Sequence, residues 1–219
     1  MKKIVFSLAI LVIVSALVLL FFPNKVQEII KNQPPKIGVL PFGNISEQEV
    51  DSVKTAVEDM FAIETVVLEK QPLPDMAYTE IRYPRYRADS LLRWLAEYKP
   101  DSVTIVLGLT NKDISITKYK ENTREIKDPE WKYKDFGIFG LGAVNGTACV
   151  VSSNRLHKNV SDRKFYKRLT RIACHEVGHV LGLRHCPEKQ CLMNDANESI
   201  KTIDRSTGEL CQNCWDAIQ

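Results

Sequence analysis

Apolar residues in this chain fall into segments whose period switches between that of a strand and that of a helix. Ile37 to Leu40 is a short apolar run. Ser46 and Glu49 follow as a capping box, and Val50, Val53, Val57 and Met60 then recur on one stripe. Ile63 to Leu68 is β-branched and strand-like, so the opening predicts a βαβ unit with at least two parallel strands. Pro72, Pro74 and Pro84 mark a loop. Beyond it Ala88, Leu91, Leu92 and Leu95 stand at helical spacing, with Pro100 past the helix end. Val103 to Leu107 reads as the next buried strand, and Phe136 to Leu141 and Thr147 to Val151 as two strands around the turn Asn145-Gly146. A long helix opens near Ser161 and carries Phe165, Leu169, Ile172, Ala173, Val177 and Val180 on a broad buried face.

Two segments break this rhythm. Ile4 to Phe22 is apolar except for Ser7 and Ser15, long enough to span a bilayer. Residues 1–23 are therefore expected to form an N-terminal transmembrane helix that anchors the chain to a membrane. A cleaved signal peptide is the alternative, although Leu17 to Phe22 offers no small-residue cleavage site. Lysines on the two sides nearly balance, and the short N-terminal tail resembles an export signal, which favours a folded domain outside the cytosol. Residues 24–35 read as a linker and 36–219 as the domain. The second segment, 118–135, holds six basic and five acidic residues and reads as a solvated loop.

At 219 residues and 44% hydrophobic content the chain supports one sizeable core. Its 30 basic and 27 acidic residues leave a net charge of +3, which gives no electrostatic footprint for nucleic acid.

The chemistry is concentrated between His175 and Cys214. His175 and His179 are four apart, so on a helix they share a face and both reach one zinc ion, with Glu176 beside them as a base. Gly182 can end the helix in a left-handed conformation and let His185 approach from another side. Three neutral imidazoles and one carboxylate suit a catalytic zinc with an open position, where a water acidified by the metal attacks a polarised carbonyl. A buried helix whose histidines satisfy one another accounts for neither Glu176 nor His185. Cys186, Cys191, Cys211 and Cys214 end in a CxxC pair and suit a closed structural zinc, with two disulfides or an iron-sulfur cluster as alternatives. Cys149 and Cys174 stand outside that pattern and read as small buried side chains or a disulfide. His157 reads as a surface residue.

The run from His175 to Cys214 resembles the archaemetzincins, a zinc metallopeptidase family of the metzincin clan. Their signature is HExxHxxGxxHC, four residues, CxM, seventeen residues and CxxC, and every specified position is present here. Ile37 to Gly43, Pro72-Leu73-Pro74 with Ala77-Tyr78, and Val151 to Leu156 are similar to segments of the same family. The hydrophobic N-terminus and the charged stretch depart from its pattern. The resemblance implies an α/β zincin-like metzincin fold: a mixed twisted sheet, an active-site helix and a small C-terminal subdomain, 186–219, tied by zinc. It implies two zinc ions. His175, His179 and His185 would hold the catalytic one, Glu176 would be the general base, and the four cysteines would hold the structural one. Met193 would lie beneath the catalytic zinc as the Met-turn residue.

The expected activity is hydrolysis of peptide bonds in a peptide or protein substrate. Its rivals are a membrane-tethered peptide-binding zinc protein and a zinc hydrolase of non-peptide amides. Phe136 to Leu141 is the expected edge strand for an extended substrate. There Gly137, Gly140 and Gly142 either admit a peptide backbone or serve as turn residues.

Overall fold

The structure is a computed structural model that describes residues 34–195 and 199–218. The chain opens with β1 (Ile37–Pro41), α1 (Glu47–Phe61) and β2 (Thr65–Val67), and β1 and β2 pair in parallel as the βαβ pattern requires. The capping box is formed. The Ser46 hydroxyl accepts from the Glu49 N–H at 3.2 Å and the Glu49 carboxylate accepts from the Ser46 N–H at 3.2 Å. β5 (Ile105–Thr110) lies beside β1, and β9 (Ala148–Ser152) beside β5, all parallel; β8 (Gly140–Gly142) then closes the sheet antiparallel to β9. The result is a mixed five-stranded sheet in the order β2-β1-β5-β9-β8.

Strand alternation sends Ile37, Val39, Leu107, Leu109, Cys149 and Val151 to one face of this sheet, where α1 and the long helix α4 (Asp162–Val180) cover them. Leu40, Val106, Ala148 and Val150 point to the other face and meet Leu91 and Leu95 of α2 (Ala88–Tyr98). Helices on both faces explain why the central strands are fully buried and read as nearly continuous apolar runs. Trp94 stacks on Tyr98 at 4.6 Å between ring centroids.

A second sheet was not anticipated. β3 (Tyr78–Thr79), β4 (Arg85–Arg87), β6 (Ile114–Ile116) and β7 (Phe136–Ile138) pair in the order β3-β4-β6-β7. Strands of two or three residues are too short to show a period, and β4 carries two arginines, so no alternation marks it. The expected single strand from Phe136 to Leu141 divides at Phe139: its first half edges the small sheet and its second half edges the large one. The charged stretch is an excursion between β6 and β7 that bonds to itself, with Lys127 N–H donating to the Lys118 carbonyl and Lys120 N–H to that of Glu125. It contains the one-turn α3 (Glu130–Tyr133).

The transmembrane helix is corrected. Among the described residues no helix is long and apolar enough to cross a membrane, and residues 1–23, on which that expectation rested, lie outside the described residues. The membrane anchor, the membrane as a partner and the localisation built on them are withdrawn.

Candidate active site

α4 begins at Ser161, with Asp162 in its first turn, and buries Phe165, Leu169, Ile172, Ala173, Val177 and Val180 against the sheet. His175 and His179 lie on the margin of that face. The helix ends at Gly182, whose φ of +104° and N–H bond to the His179 carbonyl turn the chain back. A side chain there would also strike Asn145 Oδ1, because the turn Asn145-Gly146 packs on the helix end and donates an N–H to the His179 carbonyl at 3.1 Å. His185 returns on the far side, and the three rings close into a triangle with centroids 4.7, 4.9 and 5.4 Å apart.

Two of the rings are oriented by carbonyls. His175 Nδ1 lies 2.8 Å from the Leu192 carbonyl and His179 Nδ1 2.8 Å from that of Leu183. Each Nδ1 therefore carries the proton and donates it, which leaves the Nε2 lone pair to face the centre of the triangle. Burial pushes the His175 imidazole down to about 4 and also lowers His179, so both are neutral near pH 7, the form that binds metal. One ligand atom from each of the three histidines lies within 4.8 Å of the others, a donor set that fits a zinc ion with an open position.

Glu176 is buried beside this triangle. Burial pushes its carboxyl up to about 8, partly offset by a backbone hydrogen bond from Gly142. β8 runs directly over it: a Cβ on Gly140 would stand 2.6 Å from Glu176 Cγ, and one on Gly142 would stand 2.5 Å from the Glu176 carbonyl oxygen. These glycines therefore serve close approach rather than turns, and what approaches is the active-site helix itself. Met193 is fully buried with its Sδ against Gly178, on the same helix as the histidine pair.

The four cysteines form a second cluster. Cys186 Sγ and Cys211 Sγ are 3.7 Å apart, as are Cys191 Sγ and Cys214 Sγ. A disulfide needs about 2.05 Å. Four sulfurs at about 2.3 Å from one tetrahedral ion stand about 3.8 Å apart. The spacing thus fits a tetrahedral metal site rather than two disulfides, and the N–H groups of Met193 and Cys211 both point at Cys191 Sγ at 3.4 Å. Cys149 and Cys174 are buried free thiols elsewhere in the core. His157 is exposed and stacks on Phe165.

A cleft of about 860 Å³ opens over the histidines and Glu176 and runs along β7 and β8. Arg155, Arg85 and Asp135 line it: Asp113 accepts from both arginines and Arg85 also donates to Asp135; the sequence placed Arg155 only within a family-like segment and did not single out the other three, since they lie far apart in the chain and match no spacing rule. Trp131 is exposed, with the Arg82 guanidinium 4.5 Å from its ring centre.

A model of peptidase family M54 matches residues 37–219. The chain belongs to peptidase family M54. The archaemetzincin of Halobacterium salinarum is 28% identical over 84% of this chain and 99% of its own length, and that of Archaeoglobus fulgidus 29% identical over the same shares. Among solved structures, the archaemetzincin of Archaeoglobus fulgidus complexed with malonate superposes with a TM-score of 0.65 at 27% identity, covering 84% of this chain and 99% of that one. That of Methanopyrus kandleri gives 0.66 at 27% identity, covering 86% and 96%. As a member of the M54 family the chain is a zinc-dependent metallopeptidase, and its substrates are peptides or proteins. The readings as a non-catalytic binding protein or an amidase are not favoured.

Proposed function

We propose that His175, His179 and His185 hold the catalytic zinc, that Glu176 is the general base, and that Cys186, Cys191, Cys211 and Cys214 hold a second, structural zinc. The observation that carries this is the convergence of the three imidazoles beside a buried carboxylate. When bound, zinc polarises the scissile carbonyl and lowers the pKa of a water toward roughly 7. The chain's residues supply the rest. With the charge of a bound zinc offsetting the burial that raises its pKa, Glu176 is a carboxylate whose Oε takes the proton of the attacking water and passes it to the amine nitrogen as the C–N bond breaks. The carbonyl bonds at His175 and His179 keep their Nε2 atoms aimed, so no ring turns away between turnovers. β8, an edge of the large sheet, offers main-chain groups on which an extended substrate pairs as an added strand. Met193 supports the histidine turn from below by packing alone.

Zinc per chain tests the assignment. Wild-type protein is expected to carry two zinc ions and a His175→Ala, His179→Ala double variant one. Glu176→Ala should keep both and lose peptidase activity by at least about a hundredfold. Equal rates for wild type and Glu176→Ala would overturn the role of the base.

A further inference from the structure

The cleft is far more basic than the chain. Among the described residues seven lysine or arginine side chains line it against three acids, whereas the whole sequence is close to balance. One of the three acids is Glu176. Another, Asp135, is shut off from solvent with its Oδ2 on Arg85 Nη1 at 3.0 Å, and its Oδ1 has no hydrogen-bond partner among the described residues. The basic groups gather on the wall built by β7. Arg155 lies across Gly137 so closely that a Cβ at that position would land on its guanidinium. Its Nε and Nη2 are bound to Asp113 at 2.5 and 2.8 Å, while no hydrogen bond occupies Nη1 among the described residues, and the side chain is 33% exposed. Arg155 is thus a fork clamped at one end, with little conformational freedom left to lose when the other end takes a ligand. Beside it, Lys118 Nζ stands 4.3 Å and Lys132 Nζ 5.6 Å from the Phe136 ring centre, at the start of the same strand.

We infer that Arg155 reads a carboxylate on the substrate and makes this peptidase selective for acidic peptides. This selectivity rests on the peptidase reading and adds the substrate class to it. The distance is set by the strand. Gly137 touches Arg155 and Gly140 touches Glu176, and the two glycines are at most about 10 Å apart along the wall. An extended substrate paired on that edge therefore presents the recognised carboxylate two or three residues from the bond that is cut. Both a glutamate or aspartate side chain and the free carboxyl end of a short peptide supply this chemistry. The bidentate geometry of guanidinium toward carboxylate explains why arginine rather than lysine occupies the clamped position.

The test uses the full zinc-loaded chain and peptides matched in pairs: glutamate against glutamine at two and three residues on either side of the scissile bond, and free acid against amide at the C-terminus. A preference for acid of at least about tenfold, expressed mainly in KM, is expected in one arm, and the arm that shows it names the source. Arg155→Gln should bring that ratio to within about twofold while the neutral peptides are cut as before, and Arg155→Lys should restore part of it. A merely structural role would depress both members of a pair alike. If Arg155→Gln does not fold, the wild-type ratio decides alone. Equal cleavage of acidic and neutral peptides overturns the inference and leaves the peptidase reading intact. If no peptide in the set is cut, binding of the same pairs to Glu176→Ala, read by fluorescence anisotropy, decides instead: acid-selective binding supports the inference, and equal or absent binding overturns it.

Discussion

At the scale of single residues, the site depends on atoms that are missing as much as on those present. Gly140 leaves room for the Glu176 carboxylate, so Gly140→Ala should displace the base while the fold and both zinc sites persist. The expected result is a kcat about ten- to a hundredfold lower at unchanged zinc content. Normal kcat would show that the strand yields without moving Glu176. The convergence of His175 and His179 beside Glu176 was legible in the sequence, because helical spacing is a strong geometric constraint. The pairing of Arg155 with Asp113 was not. They meet only because β6 and β9 lie in neighbouring sheets, and no local rule links residues 42 positions apart. The disulfide alternative for the cysteines also could not be settled by spacing, whereas sulfur separations of 3.7 Å distinguish the two chemistries directly.

At the scale of elements, two sets of contacts secure the C-terminal region, one against α4, where Arg171 also donates to the Ile203 and Thr207 carbonyls at 2.8 Å, and one within the region itself. The first is ionic. Arg168 of α4 donates to both carboxylate oxygens of Asp204 in α5 (Ile200–Arg205) at 2.7 and 2.8 Å, and Lys164 joins at 3.0 Å. The Arg168 guanidinium and Lys164 hold the Asp204 carboxyl down to about 2, below its ordinary 3.8, although burial works against them. A lowered carboxylate stabilises the fold above its ordinary value and loses that contribution as pH falls through the lowered one. After allowance for solvent, the pair contributes about 1–2 kcal/mol at pH 7, and about half is gone by pH 3. Denaturant unfolding of wild type and Asp204→Asn should show a gap that is full at pH 5 and visibly narrower at pH 3. A gap independent of pH would place its origin in packing. The second is the cysteine cluster, whose four members all lie within the region. Cys214→Ser should remove the second zinc and cost at least about 4 kcal/mol, seen as a Tm lower by about 8 °C or more. The capping box and the buried stripe made α1 and α4 readable in advance. β3, β4 and β6 have no such signal, being too short for alternation to register.

At the scale of the whole molecule, the histidine and cysteine clusters proposed to hold metal differ in access. The histidines line an open cleft and His185 is exposed, whereas Cys191 and Cys214 are buried. A chelator such as 1,10-phenanthroline should therefore abolish peptidase activity while leaving Tm nearly unchanged, and added zinc should restore the rate. Loss of activity that tracks loss of fold would mean that the histidine site is itself structural. The linear order of the chain adds a constraint that neither cluster shows alone. His185 and Cys186 are consecutive residues, so a single peptide bond joins the hydrolytic centre to the thiol cluster. The third imidazole has no helix of its own to hold it and is moored from behind by sulfur. A polypeptide shortened ahead of Cys211 would keep its sheet, its long helix and its base, yet its blade would be loose in the handle.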